Sequence, residues 1–383
     1  MKSATDFPVV GVVGGGQLAR MMQPPAVALG IELKLLADSR HDSAAQVIPH
    51  TVLGDYRDLD TLMEFARGCA VITFDHEHVP TEHINALVAA GVPVQPGAAA
   101  LVHAQDKRVM RERLSDMKIP MPRWSSVVTG ADVDAFAKNA EGYPLIVKAT
   151  RGGYDGKGVW LVGGRDEAEQ VLSHGEVPGF IVEEAVDFSR ELSAVVVRSP
   201  SGQAVSYPVV ETVQVDGICR EVYAPAAISS EHAMAAQEIA LRIAGELGVT
   251  GVLAVEMFDT NEGVLVNELA MRPHNSGHWS IEGAVTSQFE NHLRATLDLP
   301  LGDPAPVAPQ AVMVNVLGGD LPDLYPAYLH CLARDPALKI HMYGKVVKPG
   351  RKVGHVTVCG ADRDDLIERA RHAAAYLRGD ITE

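Results

Sequence analysis

The order in which apolar residues fall along the chain separates two textures. Over the first hundred residues, apolar runs at 9–13 and 70–74 and a strand-like stretch at 32–37 alternate with helical spacing at 17–29, 59–67 and 81–90, and a short run follows at 92–95. Strands buried on both faces read as unbroken apolar runs, and their alternation with helices predicts a parallel, doubly wound sheet. A helical period over 106–117 ends at the prolines of Ile119-Pro120-Met121-Pro122. Beyond residue 143 the texture changes. Strands at 145–149 and 158–162 flank a glycine-rich turn, and further strands are predicted at 180–184, 191–198 and 204–213. A long helix over 231–247 then precedes two strands at 253–260 and 264–269. Four prolines within 300–309 mark a linker, and a small α+β tail follows.

The last pair of strands carries the sharpest chemical signal. Asn261-Glu262-Gly263 has the profile of a three-residue hairpin loop with glycine in the left-handed third position. Pairing Thr260 with Val264 then sets Glu256 opposite Glu268. Directly opposed side chains have Cβ atoms about 4.5–5.5 Å apart, where like charges destabilise the sheet. A hard divalent cation such as magnesium would turn that repulsion into ligation, sharing the site with substrate phosphates. The bland alternative is a solvated hairpin with two surface glutamates. Against it, Glu268 leads directly into residues 270–279, which are dense in charge and hydrogen-bond donors and have no regular period.

Composition narrows the class. At 383 residues the chain exceeds one core, so two or three domains are expected. The net charge of −16 argues against nucleic-acid or anionic-membrane binding, so any phosphate must be held by a few focused cations and backbone amides. No apolar stretch approaches the roughly 20 residues of a membrane span. The N-terminal residues do not read as a signal peptide, and Cys69, Cys219, Cys331 and Cys359 show neither zinc nor disulfide spacing. A reducing cytoplasm is expected.

Further motifs admit competing readings. Gly14-Gly15-Gly16-Gln17-Leu18-Ala19 fits GxGxxA between a strand and a helix, with Asp38 ending the second strand. A dinucleotide, another phosphate-bearing ligand, or simple close packing would each suit it. Gly152 to Gly158 is not a Walker A loop, because its spacing is wrong and it joins two strands. Four glycines in seven residues exceed the needs of a hairpin, which favours a flap closing backbone amides over phosphates with Lys148 and Lys157 adding charge. Residues 75–83 contain three histidines and could pass for a metal cluster; a single substrate-contacting carboxylate, Glu77, is the favoured reading there. Arg272 and His274 follow the glutamate pair closely, one suited to developing negative charge and the other to a proton. Arg351 and Lys352 read by default as solvated charge.

At 152–158 and again at 267–279 the sequence resembles the N5-carboxyaminoimidazole ribonucleotide synthetases of the ATP-grasp superfamily. The resemblance extends to residues 14–18, 105–107, 287–290, 343–345 and 350–355, in the same order over nearly the whole chain. It implies an ATP-grasp fold of mixed α/β and α+β class. A Rossmann-like pre-ATP-grasp domain would span 1–105, an ATP-grasp domain 106–300 with its flap-bearing part at about 123–190, and a C-terminal domain 301–383. The implied reaction is carboxylation of 5-aminoimidazole ribonucleotide by ATP and bicarbonate through carboxyphosphate, with magnesium (or manganese) as cofactor and a homodimer as the typical assembly.

Residue by residue, the resemblance places Lys107 and Lys148 on the ATP phosphates, beneath a flap of Gly153, Tyr154, Asp155, Gly156, Lys157, Gly158 and Val159. It places Glu183, Glu184, Ala185 and Val186 at the adenine, Glu191 at the ribose, and Gln214 at the nucleotide. Glu256 and Glu268, with Asn267, would hold the metal. Gly16, Gln17, Leu18, Glu77, Tyr154, Asp155, Asn275, Ser276, Arg351 and Lys352 would contact the ribonucleotide. Lys157, Arg272, His274 and Lys345 would face bicarbonate and carboxyphosphate, with His274 or Asp155 managing the amine proton. Two positions depart from the pattern: Lys107 where many relatives have Arg, and Gln214 where some have His.

Overall fold

The structure is a computed structural model that describes residues 6–153, 156–174 and 178–382. Tyr154 and Asp155 of the expected flap lie outside the described residues. Strands β1 (Val9–Val13), β2 (Glu32–Ala37), β3 (His50–Leu53) and β4 (Val71–Phe74) form a parallel sheet in the order β3-β2-β1-β4. Every residue of β1 and β4 is buried, as unbroken apolar runs require. Helix α1 (Gln17–Leu29) follows β1, and α2 (Leu59–Ala66) and α3 (Thr81–Ala89) flank β4 in sequence. The strand expected at 92–95 is only a bridge, Ile72 to Val94, because Pro96 follows at once and has no N–H for a ladder. Edge strand β3 was not expected, being short and half exposed.

Helices α4 (Ala98–Gln105) and α5 (Lys107–Asp116) lead into a four-stranded antiparallel sheet of β5 (Trp124–Val127), β6 (Leu145–Ala149), β7 (Val159–Val162) and β8 (Phe180–Glu184), ordered β5-β8-β6-β7. The glycine-rich turn joins β6 to β7. A nine-stranded sheet follows: β9 (Arg190–Arg198), β10 (Ala204–Ser206), β11 (Val210–Val215), β12 (Ile218–Ala224), β13 (Gly251–Thr260), β14 (Gly263–Ala270), β15 (Gln310–Leu317), β16 (Lys339–Met342) and β17 (Lys352–Gly360). Its order is β14-β13-β9-β11-β12-β15-β17-β16, with β10 beside β9. The single strand expected over 204–213 is two, interrupted at Tyr207-Pro208, where proline removes a ladder donor and the Tyr207 hydroxyl donates to Thr286 O at 2.8 Å. Pairing of β12 with β15 carries the sheet past the proline-rich linker, so the C-terminal strands extend this sheet.

The hairpin β13–β14 corrects the expected turn. Thr260 pairs with Gly263, leaving a two-residue loop, and the ladder continues through Met257 and Val266. That register alone would set Glu256 against Asn267. A β-bulge at Asn267 shifts the ladder by one residue, and Glu256 meets Glu268 after all. One apolar core runs from Phe74, Leu101 and Met110 through Leu192, Leu253 and Leu269, tying the first sheet to the nine-stranded one.

Candidate active site

Strand pairing builds the centre of the site. On β13 Glu256 lies opposite Glu268 of β14 and Ser193 of β9, so all three project from one face, with Glu191 two residues along β9 on that face. Burial, the charge of Glu268 and that of Glu191 push the Glu256 carboxyl up to about 7. Burial also disfavours ionised Glu268, but its ion pair with Lys107, joined by the charges of Lys148 and Arg111, holds it below the ordinary range. Two facing carboxylates, one held ionised by its cationic neighbours and the other kept from ionising by burial and adjacent carboxylates, fit a divalent cation.

The cationic side is held just as firmly. Lys107 is the first residue of α5, at a junction where Asp106 caps the helix by accepting from Arg108 N at 3.0 Å and also pairs with Arg151 Nε at 2.8 Å. The Lys107 N–H donates to Thr150 O at 2.8 Å, which fixes it against the glycine turn. Lys148 on β6 donates to Asn267 Oδ1 at 2.9 Å and pairs with Glu183 Oε2 at 2.7 Å. Glu183 also receives Arg111 Nε at 2.6 Å. Burial opposes its charge, but Lys148 and Arg111 hold the carboxyl down at about 2. Asn267, expected beside the metal, therefore turns its amide oxygen to Lys148.

Next to Glu256 comes a second group, His274, Arg272 and Glu77. Glu77 Oε2 accepts from Arg272 Nε at 2.7 Å and Oε1 from Met271 N at 3.2 Å, joining the end of the first sheet to the loop after β14. His274 Nε2 stands 3.6 Å from Glu256 Oε1. Its Nδ1 lies 2.8 Å from Ser276 Oγ, which is 2.7 Å from Ser193 Oγ. Burial, then Arg272 and Lys352, push the His274 imidazolium down to about 3, so the ring is neutral at pH 7. The structure thus brings Glu77, Glu256, Glu268, Arg272 and His274 into one cluster, with Lys107 tied to it at Glu268 and Lys148 at Asn267.

Comparison with known proteins assigns this arrangement. Residues 7–105 match the ribonucleotide synthetase preATP-grasp domain, 112–289 the ATP-grasp domain, and 311–369 the phosphoribosylaminoimidazole carboxylase C-terminal domain. The N5-carboxyaminoimidazole ribonucleotide synthase of Mycobacterium tuberculosis is 52% identical over 98% of this chain and 89% of its own length. The crystal structure of the Thermus thermophilus synthetase superposes with a TM-score of 0.85 at 37% identity, covering 98% of this chain and 99% of that one. That of the Aspergillus clavatus synthase, in complex with ADP and 5-aminoimidazole ribonucleotide, gives 0.88 at 33% identity over 98% and 99%. The chain belongs to the N5-carboxyaminoimidazole ribonucleotide synthetase family. It has the ATP-grasp fold, with a parallel-sheet domain before it and a C-terminal domain after it, and is an ATP-grasp ligase by family.

In this synthetase-family fold the glycine loop does not serve a dinucleotide. Gly16 N and Ala19 N, at the start of α1, each donate to the Asp75 carboxylate at 2.8 Å, so the anion position at the helix N-terminus is already filled. A Cβ on Gly16 would sit 2.1 Å from Asp75 Oδ2, so glycine there reflects close packing. Asp75 went unrecognised in the sequence except as a member of the 75–83 group. Among the described residues no group of three or more histidine, cysteine or carboxylate side chains is arranged for a metal, and the His76 and His78 rings simply stack at 5.3 Å. Leu18 is buried, and the Gln17 side chain receives Lys345.

The remaining expected residues fall around the cleft. Positive φ at Gly152, Gly156 and Gly158 explains the glycine density, and a Cβ on Gly156 would come within 3.0 Å of Gly217, in the β11–β12 turn. Exposed Lys157 and edge residue Val159 continue this loop beyond Gly153. Glu184 is clasped by Arg123 through its N at 2.8 Å and Nε at 2.6 Å, and Ala185 and Val186 open the loop after β8. Gln214 lies on the same strand face as Thr212, the partner of Glu191. Asn275 and Ser276 form a single 3-10 turn. Lys352 lies near enough to lower His274 and Glu256, whereas exposed Arg351 reaches the Val346 carbonyl at 3.2 Å. Fully buried Arg111 was missed by sequence reasoning, being one of four Lys and Arg residues in a highly polar helix.

Proposed function

We propose that this chain carboxylates the exocyclic amine of 5-aminoimidazole ribonucleotide, using ATP and bicarbonate and giving N5-carboxyaminoimidazole ribonucleotide, ADP and phosphate. The observation that carries this reading is the facing pair Glu256 and Glu268, with Lys107 on Glu268, Lys148 on the adjoining Asn267, and neutral His274 beside Glu256. Glu256 and Glu268 would hold magnesium, which would supply charge neutralisation to the nucleotide's phosphates. Lys107 and Lys148 approach those phosphates, and the glycine turn covers them with backbone amides. A bicarbonate oxygen attacks the γ-phosphorus and ADP leaves; the resulting carboxyphosphate breaks its C–O bond to give carbon dioxide and phosphate. The amine nitrogen then forms the new N–C bond to carbon dioxide, and its proton passes to the phosphate just released.

Arg272, held by Glu77, offers its remaining N–H groups to the carboxyphosphate oxygens. His274 Nδ1 accepts the Ser276 N–H at 3.4 Å, which places the ring proton on Nε2, toward Glu256 and the reacting centre. His274 therefore acts as a hydrogen-bond donor to developing negative charge, not as the base for the amine. Lys345 and Lys352 add positive charge at the margin where the phosphate departs.

No helix among the described residues is long and apolar enough to cross a membrane. We place the enzyme in the reducing cytoplasm, as its scattered cysteines favour, and as a homodimer, as the resemblance implies; light scattering in solution should return twice the chain mass. The reaction is tested with purified protein, ATP, magnesium, bicarbonate and 5-aminoimidazole ribonucleotide. ADP release that requires both the ribonucleotide and bicarbonate is the expected result. Release that ignores the ribonucleotide, or that accepts formate equally in place of bicarbonate, would refute it.

A further inference from the structure

The guanidinium of Arg111 is fully buried, was not expected at the site, and yet ties two of its strands, β8 and β14, together through three contacts. Its Nε donates to Glu183 Oε1 at 2.6 Å, its Nη1 to Val266 O at 3.0 Å, and its Nη2 to Asn267 O at 2.8 Å. In a regular strand successive carbonyls point to opposite edges. Two consecutive carbonyls of β14 can meet one guanidinium because the bulge at Asn267 breaks that alternation. β14 is the outermost strand of its sheet among the described residues, so the bulge has no neighbouring strand on that side to hold it. A second contact on this edge is Val266 N to Pro120 O at 2.8 Å, on the linker that follows α5.

The contacts close into a ring. Arg111 holds the backbone of Asn267 while Lys148 holds its side chain, and both cations share the Glu183 carboxylate, one oxygen each. We infer that Arg111 is the positioning residue for the cation site: it fixes the bulge that turns Glu268 toward Glu256, and through Glu183 it sets Lys148 relative to both. This rests on the reading of the cleft as a metal–nucleotide site. Lysine is no substitute, because a single ammonium cannot span a carboxylate and two carbonyls in the plane that a guanidinium provides.

The experiment uses the full chain with Arg111→Lys and Arg111→Gln, and reads ADP binding by calorimetry with and without magnesium, alongside thermal melting. Lysine fits the volume that arginine occupies and keeps a charge beside Glu183. In Arg111→Lys, ADP binding in excess chelator should stay within about threefold of the parent, while the magnesium concentration needed for half-maximal enhancement rises about tenfold or more, the usual effect of losing a group that orients metal ligands. Arg111→Gln should show the same split, larger. A folded variant with the parent's magnesium dependence overturns the inference. So does a weakening that is equal with and without metal, or a fall in melting temperature with binding unchanged. Ribonucleotide-dependent turnover is measured separately on the parent enzyme; its absence would sink the proposed reaction and leave the result for Arg111 standing.

Discussion

Glu256 and His274 set the ionisation of the cleft, and both yield sign-definite predictions. The Glu256 carboxyl titrates near 7 in the folded chain against 4.5 for the free side chain, because burial and the facing Glu268 disfavour its charge. A group whose folded pKa is raised stabilises most below its unfolded pKa, and that contribution is lost as pH climbs through the folded value. Glu256→Gln should therefore match the parent near pH 4.5 and become more stable by about 2–3 kcal/mol above pH 7, in the absence of metal. The same variant should lose at least about 100-fold in ATP turnover, since one of the two carboxylates proposed to hold the cation is gone. Paired melting and rate measurements across pH check both halves. His274, displaced to about 3, stays neutral through the working range. Replacing it with Asn should lower kcat by about 10²-fold yet leave the acid limb of the pH profile where it was; a shift of that limb would show the ring titrating after all.

How far these residues were legible differs case by case. Glu256 and Glu268 could be found because strand pairing converts sequence distance into spatial opposition. Arg111 and Asp75 could not, because neither has a periodic signature: one sits in a helix whose exposed positions carry the same charges, and the other sits among histidines that drew the eye to metal chemistry. Only the three-dimensional course of β14 and of the glycine loop gives these two side chains their partners.

Among the elements, those with an unambiguous period were readable almost to the residue, as in α1 and β2, where apolar spacing and flanking glycines agree. The hairpin shows a subtler outcome. A turn expected one residue too long and a bulge that sequence does not announce offset each other, so the right pair of glutamates emerged from an incomplete register. Strand β3 and the break at Tyr207-Pro208 escaped because tertiary pairing decided them over local pattern. The glycine turn between β6 and β7 gives the prediction at this scale. Gly156 has φ near +77 and packs against the β11–β12 turn. Gly156→Ala should lower ribonucleotide-dependent turnover several-fold while raising the share of ATP hydrolysed without carboxylation, read as the ratio of phosphate to product; an unchanged ratio would remove the loop from any role in excluding water.

At the scale of the whole chain, the linker over 300–309 suggests a detachable tail, but the hydrogen bonding says otherwise. Glu221 to Ala224 of β12 pair along their length with β15, and buried Tyr223 packs into the core formed by the C-terminal strands and helices. A chain ending at residue 300 should expose that edge and apolar face together and be recovered as aggregate, which light scattering after expression would reveal. A soluble, monodisperse fragment that still binds ADP would show the tail to be dispensable for folding.

Lys107 carries one last consequence. In the free protein its ammonium already occupies the carboxylate of Glu268, acting as a tethered rival to any incoming ion. Magnesium alone must evict this rival without compensation, whereas a triphosphate offers the lysine a new anion in exchange. The chain should consequently ignore magnesium chloride in a melting experiment and respond only when nucleotide arrives with it, so that the metal enters as part of its cargo.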